Sequence, residues 1–87
     1  MTYTIIVTPE AEKDLKKHKK LLKKIQHFLE EITIHPRTGT GQVERLKHYS
    51  EREIYSRRID KEHRLVYEIR DDKVIVILIS AYGHYEN

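Results

Sequence analysis

Apolar and polar positions change period along this chain, and the changes mark its elements. Tyr3-Thr4-Ile5-Ile6-Val7 is a short, β-branched and apolar run that reads as a strand. It stops at Thr8-Pro9, where Thr8 can cap a helix whose first residue is Pro9. Glu10 and Glu12 then fall in the first turn, where the helix dipole favours acids. Downstream, Ala11, Leu15, His18, Leu22, Ile25, Leu29 and Ile32 recur at alternating steps of four and three, one apolar stripe with Leu21 and Phe28 beside it. The stripe predicts amphipathic helix, either one long helix or two with a break near Lys19-Lys20 that periodicity does not locate. His35-Pro36 ends it, because a proline pushes the preceding residue out of the α region. Arg37 to Gly41, with two glycines and two threonines, reads as a mobile connection.

After the glycines the period becomes that of strands. Gln42 to His48 is a short polar strand candidate, and Glu53 to Ile59 and Arg64 to Arg70 are alternating strands joined through Asp60-Lys61-Glu62-His63. Asp71-Asp72 makes a second tight turn into Lys73 to Ser80, whose near-continuous apolar character predicts burial on both faces in the sheet centre. Ala81 to Asn87 is a short tail. A strand, one or two helices and then four strands predict an α+β domain, a mostly antiparallel sheet with helices on one face.

At 87 residues the chain is expected to be one domain, 1–87, large enough to fold alone but too small to enclose a deep substrate cavity. An active site on it should be a shallow groove open to a large substrate. Hydrophobic residues make up 38% and charged residues 36%, so a modest core lies under a densely charged surface. The net charge of +3 suits a polyanionic partner, although many ordinary domains reach that value. The absence of cysteine removes disulfides, thiolate nucleophiles and thiolate zinc sites together, and leaves the redox compartment open. The longest apolar run, Val74 to Ile79, is far too short for a membrane span, and Met1-Thr2-Tyr3-Thr4 lacks the start of a signal peptide. The chain reads as soluble and unsecreted, with no membrane partner.

The candidate chemistry lies in the second half. A hairpin centred on Lys61 would put Arg58 and Arg64 opposite each other on one sheet face, an arrangement that like charges disfavour. An anion such as a phosphate lying between them would account for the pair, since the planar fork of arginine matches phosphate oxygens. The plainer alternative is a register shifted by one residue, or pairing of each arginine with Glu44, Glu53 or Glu68. His84, between Gly83 and Tyr85 beyond the last strand, can donate a proton near neutral pH; the alternative is a terminal histidine with no role. Glu44 can accept a proton from a ribose 2′-hydroxyl within hydrogen-bond reach, or serve as a surface ion-pair partner. His18 reads as packed on the helix stripe, and His27, His35, His48 and His63 as surface or loop residues. No histidine or acidic cluster has metal-site spacing, and no serine has the context of a triad. Lys13, Lys16, Lys17, Lys19, Lys20, Lys23 and Lys24 are either phosphate contacts or the solvated face of the helix.

Glu44-Arg45-Leu46-Lys47-His48, the run from Ser56 to Tyr67, and the closing Gly83-His84-Tyr85 together resemble the YoeB (Txe) family of toxins within the RelE superfamily of bacterial toxin–antitoxin systems. The resemblance is specific in the second half; the first half matches mainly in its order of elements. It implies a RelE-like, microbial-ribonuclease-like fold and metal-independent cleavage of messenger RNA in the decoding site of translating ribosomes, with no cofactor, in the cytoplasm. By position, Glu44 matches the family's general base, His84 its general acid, and Arg58 and Arg64 its phosphate-binding arginines. Lys47 matches a further basic contact and Tyr85 the tail tyrosine that helps hold the substrate. A cognate antitoxin and a homodimer are also implied. The chain departs from the family pattern at Tyr55, where relatives often carry tryptophan, and at Ala81-Tyr82, where a polar or cysteine-containing pair is more usual. A non-catalytic RNA- or ribosome-binding module of the same fold, or a plain antitoxin-binding domain, would share much of this pattern. Only the enzyme uses Glu44, Arg58, Arg64, His84 and Tyr85 together.

Overall fold

Thr8 separates the first strand from the first helix by the chemistry expected of it. The computed structural model describes residues 2–46, 51–61, 63–73 and 75–80. In it β1 spans Thr4–Val7 and α1 spans Pro9–Lys17. The Ala11 amide donates to Thr8 Oγ1 at 3.2 Å, Glu10 and Glu12 lie in the first turn, and Lys16 and Lys17 lie in the last, where cations suit the dipole. His18 leaves the helix, and a 3₁₀ turn over Lys19–Leu21 leads into α2, Leu22–Ile34. There are thus two helices. An unbroken helix would stack Lys16 on Lys20 and Lys20 on Lys24 at the repulsive i,i+4 spacing. Because α2 starts afresh after the break, its buried face is Ile25, Phe28 and Ile32, while Leu22 and Leu29 are half-buried. Phe28, expected beside the stripe, is at its centre.

The sheet has five strands in the order β1-β5-β4-β3-β2, with β2 at Glu44–Arg45, β3 at Ile54–Arg58, β4 at Arg64–Arg70 and β5 at Ile75–Ser80. β1 runs parallel to β5 and every other pairing is antiparallel. β5 is therefore an interior strand, but the centre of the sheet, where its apolar run predicts it, is held by β4. The strand expected over Gln42 to His48 is shorter than its sequence suggests. Gly41 (φ 98°) and Gln42 (φ 52°) are left-handed, so extended pairing starts only beyond them, and the Leu46 amide closes the ladder on the Ile54 carbonyl. His48 lies outside the described residues.

The helices cover one sheet face. Ala11, Ile25, Phe28 and Ile32 pack against Ile59, Leu65, Tyr67 and Ile69, with Tyr55 at the margin stacked on Tyr67 at 6.1 Å between ring centroids. The other face carries a smaller cluster of Leu46, Ile54 and Val66. No helix among the described residues is long and apolar enough to cross a membrane.

The connection after α2, read as mobile, is instead pinned. Arg57, whose side chain is 0% exposed, sends one nitrogen to Glu31 Oε1 at 2.6 Å and the other to the carbonyls of His35 and Thr38 and to the Tyr67 hydroxyl. Tyr67 donates in turn to the Pro36 carbonyl at 2.7 Å, and the Thr40 amide donates to Glu31 Oε1. At its start the connection is held by Arg37, bidentate to Glu53 and bonded to Asp71, which also accepts from the Tyr3 hydroxyl. At its end the Arg58 amide donates to the Gly41 carbonyl. A Cβ on Gly41 would meet Arg57 Cγ and the Arg58 carbonyl oxygen at 2.7 Å each, so glycine is needed there for space as well as for φ.

Candidate functional site

The hairpin between β3 and β4 sets the geometry of the open face. Asp60 Oδ1 accepts from the His63 amide at 2.8 Å and lies 2.8 Å from His63 Nδ1, while the Ile59 amide donates to the His63 carbonyl. This turn brings Arg58 directly opposite Arg64, the register expected from a hairpin centred on Lys61. Strand alternation then divides the residues between faces. Tyr55, Arg57, Leu65 and Tyr67 face the helices; Ile54, Ser56, Arg58, Arg64, Val66 and Glu68 face away. Glu44 lies opposite Ser56, so it joins the second set.

This second face is thus ordered in rows across β2, β3 and β4. Leu46, Ile54 and Glu68 form one, Glu44, Ser56 and Val66 the next, and Arg58 and Arg64 the last. Glu44 on β2 and Arg58 on β3 are diagonal neighbours on adjacent strands, with Cβ atoms about 7 to 8 Å apart, and Arg64 lies one strand further across. Glu44 is exposed, and Arg58 and Arg64 are half-buried. Arg58 Nε donates to the Asp60 carbonyl at 3.0 Å, which aims its guanidinium along the turn.

Two of the carboxylates considered as partners for this pair, Glu53 and Glu68, are engaged by other arginines. Glu53 is taken by Arg37, whose hydrogen bonds hold it below the usual carboxylate range against the opposing effect of burial. Glu68, 4% exposed, is desolvated, which raises its pKa, yet hydrogen bonds from Arg52 and Arg70 bring it below the ordinary value. Among the described residues neither Arg58 nor Arg64 forms an ion pair with a carboxylate. Two opposed cations on one face are suited to hold an anion between them.

Beside the turn, Lys16, Lys17, Lys19 and Lys20 ring an open pocket of about 450 Å³ whose far wall is Asp60 and His63. His18 and His63 meet edge to face at 4.6 Å, so both are half-buried rather than loose surface residues. Lys47, His84 and Tyr85, like Tyr82, lie outside the described residues. The structure thus brings Glu44, Arg58 and Arg64 to one face. Two roles went unnoticed in the sequence: the buried Arg57–Glu31 pair, and Ser56 beside Glu44. Parity along β3 separates Arg57 from Arg58, a signal available without coordinates.

A family model for the YoeB-like toxin of bacterial type II toxin–antitoxin systems matches residues 10–85. Toxin YoeB of Escherichia coli K12 is 40% identical over 58 residues, covering 67% of this chain and 68% of that protein. Toxin YoeB of Synechocystis is 43% identical over 68 residues, covering 78% and 76%. Among solved structures, the YoeB dimer from Staphylococcus aureus superposes with a TM-score of 0.81 at 36% identity, covering 98% of this chain and 100% of that one. The heterotetrameric YoeB–YefM toxin–antitoxin complex from the same organism gives 0.77 at 35% identity, with the same coverage. The site on the open sheet face therefore belongs to a chain that is a member of the YoeB-like family of bacterial type II toxin–antitoxin toxins.

Proposed function

We propose that this toxin is a metal-independent endoribonuclease that cuts messenger RNA on translating ribosomes. The observation that carries the reading is the direct opposition of Arg58 and Arg64 on the face that also bears Glu44. Glu44 takes the proton from a ribose 2′-hydroxyl, and the freed oxygen attacks the adjacent phosphorus. The bond to the 5′-oxygen breaks, and His84 supplies the proton to that leaving oxygen. The products are a 2′,3′-cyclic phosphate and a 5′-hydroxyl end. Arg58 and Arg64 stabilise the charge that builds on the phosphorane, a contribution of about 3 to 4 kcal/mol for a well-placed donor. The roles of His84, of Lys47 as a further phosphate contact and of Tyr85 in holding the substrate rest on the family resemblance.

A shallow groove on so small a domain cannot bend or align RNA alone, whereas a ribosome presents an ordered codon, and positioning supplies much of the barrier reduction in such reactions. Acting there places the protein in the cytoplasm. The lysines around residues 16–20 are suited to ribosomal RNA. A cognate antitoxin would silence the toxin by folding an acidic, flexible segment over the basic open face. The S. aureus complex of YoeB with YefM and the S. aureus YoeB dimer support an antitoxin partner and a homodimer for this chain.

The test is the chemistry of the ends. RNA cut on programmed ribosomes should carry 2′,3′-cyclic phosphate and 5′-hydroxyl termini, and Glu44→Gln combined with His84→Gln should abolish the cuts. Cuts that persist in the double variant, or that leave 5′-phosphates, contradict the assignment.

A further inference from the structure

Ser56 sits between Glu44 and Val66 on the sheet face that carries Arg58 and Arg64, and takes part in none of the steps above. The residue is 1% exposed, and its hydroxyl makes no hydrogen bond among the described residues. A buried hydroxyl without a partner is destabilising, and strands prefer β-branched or larger residues to serine. Leu46, Ile54 and Val66 around it form an apolar cluster and offer no acceptor on their side chains. Alanine would fill this position at lower cost to the fold. The hydroxyl is therefore better explained by a bond made in another state of the site.

Its neighbours identify that bond. Val66 lies opposite Ser56 on β4 and Glu44 lies opposite it on β2. Directly opposed residues hold their Cβ atoms about 5 Å apart, and a glutamate carries its carboxylate on enough rotatable bonds to swing over such a neighbour. Arg58 and Arg64, in the next row, only donate. Among the described residues, Glu68, diagonal to Ser56 on β4, already accepts from Arg52 and Arg70, and Glu44 is the directly opposed side-chain acceptor.

We propose that Ser56 is a positioning residue for the cleavage reaction, donating its hydroxyl to one oxygen of the Glu44 carboxylate when RNA occupies the open face. The inference rests on Glu44 being the general base. The bond fixes which carboxylate oxygen is left facing the ribose hydroxyl. It also favours the ionised form, the only form able to take a proton.

Ser56→Ala and Ser56→Cys, both close in size to serine, test it on programmed ribosomes beside the wild type. Each variant should match or exceed the wild type in thermal stability, lose about tenfold in kcat/KM, and show an acidic limb of the pH–rate profile displaced to higher pH. Wild-type rates and an unmoved limb overturn the inference. So does a rate loss that follows lowered thermal stability with the limb unmoved, because serine would then be structural. A wild type that leaves ribosomal messenger RNA intact removes the cleavage reading itself, and the role of Ser56 with it.

Discussion

Arg58 and Arg64 face each other across one ladder rung at a cost in repulsion that a bound phosphate would repay. Replacing either by alanine should lower the cleavage rate by about 10² to 10³-fold while leaving the melting temperature unchanged or slightly raised. A large loss of stability in either variant would place that arginine in the scaffold. Arg57, one residue away, belongs to the scaffold: Arg57→Leu strands Glu31 and frees three loop carbonyl and hydroxyl contacts, so urea denaturation should show a loss of roughly 3 kcal/mol. A loss near zero would mean that the pair is dispensable. The opposition of Arg58 and Arg64 was legible in the chain because turn length fixes register. The role of Arg57 was not read, although strand parity pointed to it, because its partners lie 10 to 26 residues away. Glu44 was legible in place but not in role; the family motif supplied the role.

The connection from α2 to β2 is the element that sets where Glu44 begins. Its composition suggested freedom, yet Arg37 holds one end, Arg57 and Glu31 the middle, and the Arg58 amide the other. Bonds from side chains to loop carbonyls leave no periodic mark, which is why glycine and threonine content misled. Gly41→Ala should cost roughly 1 to 3 kcal/mol through its positive φ and the 2.7 Å contacts. Because β2 hangs from this loop, activity should fall with stability; a variant as stable as the wild type would show that the loop relaxes freely. The helices were more readable. Thr8, Pro9 and the apolar stripe located them, but the stripe allowed one long helix as well as two with a break near Lys19-Lys20, and the structure has two.

Across the whole molecule, several distant segments are joined by carboxylates held in ionised form. Glu31 is lowered chiefly by the Thr40 amide, Glu53 by Arg37 and Asp71 by the Tyr3 hydroxyl, while the arginines around Glu68 outweigh its desolvation. Each binds its proton less readily folded than unfolded. Their stabilisation is therefore complete above about pH 4, the ordinary carboxylate value, and lost as pH falls through the lowered folded values. Urea midpoints measured from pH 7 to pH 3 should stay level and then drop in the acid range; a midpoint that holds to pH 3 would show that these links contribute little. On the opposite surface property, reversing charge at Lys16, Lys17 and Lys20 should weaken ribosome binding without unfolding the domain, and unchanged binding would leave those lysines as solvated side chains. The most direct test of the central claim maps the 5′ ends of a defined messenger RNA incubated with the purified protein, with and without programmed ribosomes, beside His84→Gln. The account predicts cuts that need the ribosome and vanish in the variant; ribosome binding without cuts would contradict it and make the chain a non-catalytic binding module.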